Sequence, residues 1–163
     1  MTTRVRPTKP ISVRHAWTSL DDALAFRIHR TSRFLRTHLM RMLEEHGDGL
    51  SPEQFFVIAK LRDRQPRRQV ELAEPVLGDP PNVTRLVDVL VNRGLVERNP
   101  DPDDRRSWLV QLTPVGSRLA TSLRRHAIAL RNDVFAGFDD ADLDHLGDLL
   151  DRVDTNLRGL LAR

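Results

Sequence analysis

Apolar residues recur along this chain at steps of three and four, interrupted in one place by two short runs of branched residues. Leu20, Leu24, Ile28, Thr31, Leu35, Leu39 and Met42 form the first stripe. It predicts a long helix from about Ser19 to Glu45 with one face buried. Ser19, Asp21 and Asp22 mark its start, with acids near the positive end of the helix dipole, and Gly47 and Gly49 end it. A second helix opens on Ser51 as N-cap, Pro52 in the first position and Gln54 three residues on, as in a capping box. Leu50 and Phe55 take the staple positions, and Phe55, Ile58 and Leu61 continue the inward face up to Gln65-Pro66. Arg67 to Leu77 is expected to hold a third helix. Pro75 ends it at Glu74, because proline there removes a helical hydrogen bond and clashes with the carbonyl of Glu71. Val76 to Gly78 then forms a turn, and Asp79 caps a fourth helix that starts at Pro80.

That fourth helix buries Val83, Leu86, Val87 and Leu90 and stops at Gly94. Leu95 to Arg98 and Ser107 to Leu112 read as strands, and the loop between them carries two prolines, three aspartates and two arginines. Helix, strand, charged loop, strand is the plan of a winged helix. Thr113-Pro114 then caps a helix with Val115, Leu119, Leu123, Ala127, Leu130, Val134 and Phe138 as its stripe, and Gly137 and Asp139 break and recap the chain. The last helix repeats Leu143, Leu146, Leu150, Val153, Leu157 and Leu160, an a/d seam. A lone protomer has little to pack such a seam against, so it points to a two-fold dimer; packing within its own chain is the alternative. The predicted fold is mainly α: a winged helix-turn-helix with a small β-wing, on a helical dimerisation base formed by the N- and C-terminal helices. Residues 1–18 read as a basic, flexible tail and 19–163 as a single domain. Within it, about 51–113 is the DNA-binding part, and about 19–46 and 114–163 the dimerisation part.

The outward face of the fourth helix carries Arg85, Asp88 and Asn92, flanked by Asn82 and Thr84. Arg, Asn and Thr are the donors and acceptors that read base edges or hold phosphates, although a solvated helix face would look the same. The loop changes the balance. Asp101-Pro102-Asp103-Asp104 reads as a turn, with Arg105 and Arg106 beside it. Arginine at a loop tip can enter a narrow minor groove, where the negative potential is enhanced.

The segments Asn82 to Asp88, Arg93 to Arg98, Asp101 to Arg106, and Val110 to Thr113 followed by Gly116 resemble the MarR family of bacterial transcriptional regulators. The motifs cover about Leu72 to Leu119, and the helical frame on both sides fits as well. The resemblance implies an obligate homodimer with one winged helix-turn-helix per subunit, released from double-stranded DNA by a small-molecule or redox signal. It implies DNA contacts from Asn82, Thr84, Arg85 and Asp88, and a minor-groove role for Arg105 or Arg106. The other wing arginine would pair with Asp103 or Asp104 and hold the loop in shape. An effector, aromatic or phenolic in character, would sit between the first two helices and the helix after the wing. Phe26, Phe34, Phe55, His38 and Arg41 lie near that region in sequence.

Composition narrows the alternatives. Cysteine is absent, so disulfides and the cysteine-based peroxide sensing of some relatives are excluded. No apolar run approaches a membrane span, and the first ten residues lack the apolar core of a secretory signal, which suits a cytoplasmic, nucleoid-associated bacterial protein. Net charge is +3, but residues 1–46 carry nine basic and four acidic side chains, and residues 139–163 three and seven. A basic and an acidic end suit a protein that presents one side to DNA. In the tail, Arg4, Arg6, Lys9 and Arg14 could touch phosphates or play no part. None of the six histidines (His15, His29, His38, His46, His126, His145) forms a close ligand pair. No nucleophile–base set or phosphate loop stands out, so no enzyme activity and no cofactor are expected. Two further readings stay open. One is an architectural protein that binds DNA without sequence preference or ligand sensing. The other is a metal-dependent protein using the acidic loop, which lacks the glycine and glutamate of a calcium loop.

Overall fold

The computed structural model describes residues 19–20, 23–73, 80–104 and 106–161. Its elements are α1 (Leu24–His46), α2 (Pro52–Asp63), β1 (Arg67–Arg68), a 3-10 turn (Gln69–Leu72), α3 (Pro80–Asn92), β2 (Val96–Pro100), β3 (Trp108–Leu112), α4 (Pro114–Val134) and α5 (Asp140–Leu161). The chain divides into two compact units, one up to His126 and one from Ala127 onward. Among the described residues no helix is long and apolar enough to cross a membrane.

The first unit is built around α2 and α3. Ser51 caps α2 in both directions: its hydroxyl accepts from Gln54 N at 3.2 Å, and its own N–H donates to Gln54 Oε1 at 2.9 Å. Pro52 sits where its missing N–H costs nothing, and the buried Leu50 precedes the cap. Val57, Ile58 and Leu61 of α2 meet Val83, Val87 and Leu90 of α3 in one core with Leu72, Leu95, Val96 and Val110. The expected α3 face is therefore the buried one, with Leu86 only partly covered. Gly94 takes a φ of +65° just past α3, a conformation that costs glycine little. β3 is the central strand of an antiparallel sheet of order β1-β3-β2, with Arg68 opposite Leu109 and Pro100 opposite Trp108.

Four expectations need correction. In place of the helix predicted over 67–74, residues 67–72 form a two-residue strand followed by a single 3-10 turn that ends at Leu72. Arg67 and Arg68 are drawn into the sheet by β3, and Ala73 is already extended (ψ 115°). Only four residues are left to turn before the segment in which Pro75 disfavours helix. Pro75 itself, the turn at Val76 to Gly78 and the Asp79 cap lie outside the described residues, as do the basic tail, Asp21, Asp22 and Arg105. Second, α1 begins at Leu24, because Ala23 is extended (ψ 119°) and no side chain caps the helix.

Third, within its own compact unit the α1 stripe is covered only at its C-terminal end. Met42 and Leu43 at its C-terminal end enter the core, whereas Leu20, Leu24, Ile28 and Leu35 are between 40% and 58% exposed. Fourth, α4 turns Gly116, Ala120 and Leu123 inward and leaves Val115 half exposed. The cause is a close approach. The Thr113 hydroxyl donates to Gly94 O at 2.6 Å and accepts from Gly116 N at 3.1 Å, and Thr113 N donates to Leu95 O at 3.1 Å. These bonds lay the first turn of α4 on the Gly94-Leu95 backbone, where only a residue without Cβ fits.

The second unit contains the end of α4 and α5. Asp139 and Asp142 cap α5 reciprocally, Asp142 N donating to Asp139 Oδ1 at 2.8 Å. None of the residues of α5 is buried, and Leu150, Val153, Leu157 and Leu160 of its seam are exposed.

A Cβ on Gly116 would lie 1.9 Å from Leu95 O. Gly116→Ala is expected to lower unfolding stability by about 1–3 kcal/mol, as overpacking against an unyielding neighbour does. A urea midpoint equal to that of the parent would show that α4 can lift off this backbone freely.

Candidate nucleic-acid interface

The candidate surface is assembled from α3, the 3-10 turn before it, and the wing between β2 and β3. With Val83, Val87 and Leu90 anchored in the core, helical geometry turns Arg85 to solvent. Arg85 has no hydrogen bond or ion pair among the described residues. Asn82 is half-buried in the first turn. Thr84 is engaged internally: its hydroxyl donates to Pro80 O at 3.1 Å and accepts from Gln69 Nε2 at 2.9 Å. Asp88 faces β2, where Arg98 Nη2 lies 2.9 Å from its Oδ1, an ion pair whose angle misses hydrogen-bond geometry. Asn92 is exposed at the helix end.

The wing is a hydrogen-bonded loop closed by aspartates. Asp101 N donates to Ser107 O at 3.0 Å and Ser107 N to Asp104 O at 2.8 Å. Asp101 Oδ1 accepts the Asp103 N–H at 3.0 Å. Asp104 Oδ1 accepts from Arg106 N at 3.0 Å, and its Oδ2 from the Ser107 hydroxyl at 2.7 Å. Arg106 is left exposed at the tip, with no side-chain partner among the described residues. The Asp103 carboxylate is exposed and Asp104 is half-buried; neither makes an ion pair with Arg106.

Sequence reasoning placed the buried wing carboxylate, Asp101, in the acidic turn but did not pair it with Arg68. Asp101 is 4% exposed, and its Oδ2 lies 2.6 Å from Nε of Arg68, a residue 33 positions earlier in the chain. A signal for it existed only in the sheet. Arg68 pairs with Leu109 on the strand that leaves the wing, which brings its side chain to the loop's base.

On the effector side the named residues separate. Phe26 and Phe34 line one shallow groove along α1 with His29, Arg30, Arg33 and Thr37, and the Arg30 guanidinium lies 5.8 Å from the Phe26 ring centre. Phe55 packs against Phe56 and the core instead, and His38 and Arg41 are exposed. His46 and His126 stack face to face, centroids 3.7 Å apart, where α1 meets α4. No three His, Cys, Asp or Glu side chains converge as a metal set among the described residues.

Residues 50–108 match the model of the MarR family, the span from the cap of α2 to the start of β3. The chain is 29% identical over 135 residues to the uncharacterized HTH-type transcriptional regulator YkoM of Bacillus subtilis, covering 82% of this chain and 86% of that one. It is 36% identical over 74 residues to the HTH-type transcriptional repressor NicR of Pseudomonas putida, covering 45% and 47%. The crystal structure of the transcriptional regulator PA3341 superposes with a TM-score of 0.72 at 32% identity, over 83% of this chain and 98% of that one.

The Ser107 hydroxyl and then the Arg106 N–H hold the Asp104 carboxyl below its ordinary value of 3.8. Because the folded value is the lower one, the stabilisation is complete above pH 3.8 and is lost as pH falls through the depressed value. A carboxyl NMR titration should place Asp104 below a free aspartate, and Ser107→Ala should move it back up. A value in the parent at or above the ordinary one would mean that these wing bonds do not persist in solution.

Proposed function

Because the chain belongs to the MarR family, we propose that it is a transcriptional repressor that binds a pseudo-palindromic operator as a homodimer and is released by a small aromatic or phenolic effector. The observation that carries this reading is the pair of arginines whose side chains have no partner among the described residues, Arg85 on the outward face of α3 and Arg106 at the wing tip, on a braced winged helix. α3 enters the major groove. Asn82 and Arg85 meet base edges or phosphates there, and Thr84 lies against the same groove wall with its hydroxyl held from behind. Arg106, with Arg105 beside it in sequence, reaches the minor groove. Asp88, neutralised by Arg98, limits repulsion where the helix faces phosphates. Asp103 and Asp104 shape the turn that presents the arginines.

Repression agrees with the similarity to the transcriptional repressor NicR, and operator occupancy by a dimer is the simplest way to block a promoter. The second copy is called for by the apolar seam of α5, exposed from Leu150 to Leu160. Aromatic and cationic side chains share the α1 groove, which suits an aromatic effector on the dimer base. Use of the acidic loop as a cation site is disfavoured by its partners. Arg68 already holds Asp101, and hydrogen-bond donors occupy both oxygens of Asp104. The reading is that of a DNA-binding regulator in the cytoplasm, with no catalytic role.

The test is fluorescence anisotropy on DNA from upstream of the chain's own gene against a scrambled duplex, across a salt series. Selective binding with a steep salt slope is expected. Arg85→Ala should cost about tenfold or more and relax preference at one base pair per half-site. Equal, weak binding to both duplexes would replace the repressor with an architectural protein.

The dimer is tested separately. Leu157→Asp puts a charge in the α5 seam without removing a buried side chain. Sedimentation should then report a folded monomer that has lost operator binding; an unchanged dimer would place the interface elsewhere.

A further inference from the structure

Arg68 and Gln69 are adjacent in sequence but hold different DNA-facing elements. Arg68 ends β1, and its Nε donates to Asp101 Oδ2 at the base of the wing, 2.6 Å away. Gln69 opens the 3-10 turn, and its Nε2 donates to the Thr84 hydroxyl on the first turns of α3 at 2.9 Å. The far side of each contact is already committed. Asp101 uses its other oxygen on the Asp103 N–H and its own N–H on Ser107 O, so moving Asp101 moves the whole loop. The Thr84 hydroxyl has given its single proton to Pro80 O, so it can only accept from Gln69. The backbone between the two side chains is held as well. Arg68 is paired with Leu109 in the sheet, and Leu72, three residues beyond Gln69, is fully buried.

We propose that the Arg68-Gln69 dipeptide is a positioning element that sets the separation of the wing from the recognition helix, and with it the spacing between the minor-groove and major-groove contacts. The proposal rests on the operator-binding reading. It assigns neither residue a direct DNA contact. Arg68 acts through the loop that carries Arg106, and Gln69 acts through the helix that carries Arg85. The physical reason is stiffness. One peptide unit joins the two anchors, so wing and helix cannot slide relative to each other without breaking a hydrogen bond to a charged or fully committed group.

The test combines a thermodynamic cycle, a spacing series and a measurement without DNA. In anisotropy titrations Arg68→Ala should weaken operator binding by about tenfold in the parent, and far less in an Arg106→Ala background where the wing contact is already gone. On duplexes whose A·T-rich minor-groove segment is displaced by one base pair from the major-groove site, the parent should discriminate. Arg68→Ala and Gln69→Ala should each flatten that preference, a change that lost stability alone does not produce. If Arg68 touches phosphate directly, the losses from Arg68→Ala and Arg106→Ala add and the salt slope falls by about one ion, which overturns the proposal. Arg68→Ala leaves Asp101 buried and unpaired, so the cycle is repeated with Arg68→Met combined with Asp101→Leu, which removes both charges together. Hydrogen exchange of the free protein is the arm that needs no DNA. The Asp103 and Ser107 amides should exchange faster in the Arg68 variants, and the Thr84 amide faster in Gln69→Ala, with α2 core amides unchanged. Unaltered wing and α3 exchange overturns the clamp even where the parent binds its operator. A parent without operator preference overturns the repressor reading, and the exchange arm still decides the clamp.

Discussion

A carboxylate 96% removed from solvent would be costly in this fold without a cation and donors around it, and Asp101 has both. The Arg68 guanidinium supplies the charge, and the Asp103 N–H satisfies the second oxygen. The arrangement needs β1 to exist, because only pairing with β3 brings Arg68 to the loop's base. It therefore explains why two residues leave the predicted third helix to form so short a strand. It also explains why the wing is hydrogen-bonded at both ends among its described residues. Asp101 anchors its first half from below, and Asp104 closes its second half through Arg106 N and the Ser107 hydroxyl. Both arms are held from inside, which frees the Arg106 side chain to face outward.

Local rules carried much of this architecture. The α2 capping box, the proline start of α3, the glycine after it and the two wing strands each depend on neighbours within a few residues, and all were legible. The buried face of α3 was legible for the same reason: valines and leucines at helical spacing leave one solution. What depended on distant pairing was not. Arg68 and Asp101 are 33 residues apart, and nothing in either neighbourhood marks them as partners. The inward turn of Gly116 in place of Val115 follows from the approach of α4 to the Leu95 carbonyl, a tertiary contact. At the candidate surface, exposure of Arg85 and Arg106 was readable from helix and loop position. The internal commitment of Thr84 and the Arg98 partner of Asp88 were not, because both come from other elements.

The apolar stripes of α1 and α5 pose a different question from the core. Each was legible as a stripe, and each stands open in the protomer. Exposed leucines scattered singly are ordinary, but a periodic seam on a helix without one buried residue is left uncovered within its own compact unit. A second copy satisfies it and brings a further consequence. A two-fold interface forces two copies of α3 and of the wing into symmetric positions, so whatever one protomer reads, its partner reads in inverted order. Affinity for such a site then depends on two spacings. One is internal to each protomer, between wing and helix, where side chains bond element to element at close range. In the proposed dimer the other lies between protomers, across the apolar side chains that α5 leaves exposed. Hydrogen bonds to charged or committed groups resist small displacements, whereas apolar surfaces can repack with little loss. On the proposed reading, a ligand seated on the dimer base meets least resistance in changing the second spacing. It can take one recognition helix out of register with its half-site while each reading head stays intact.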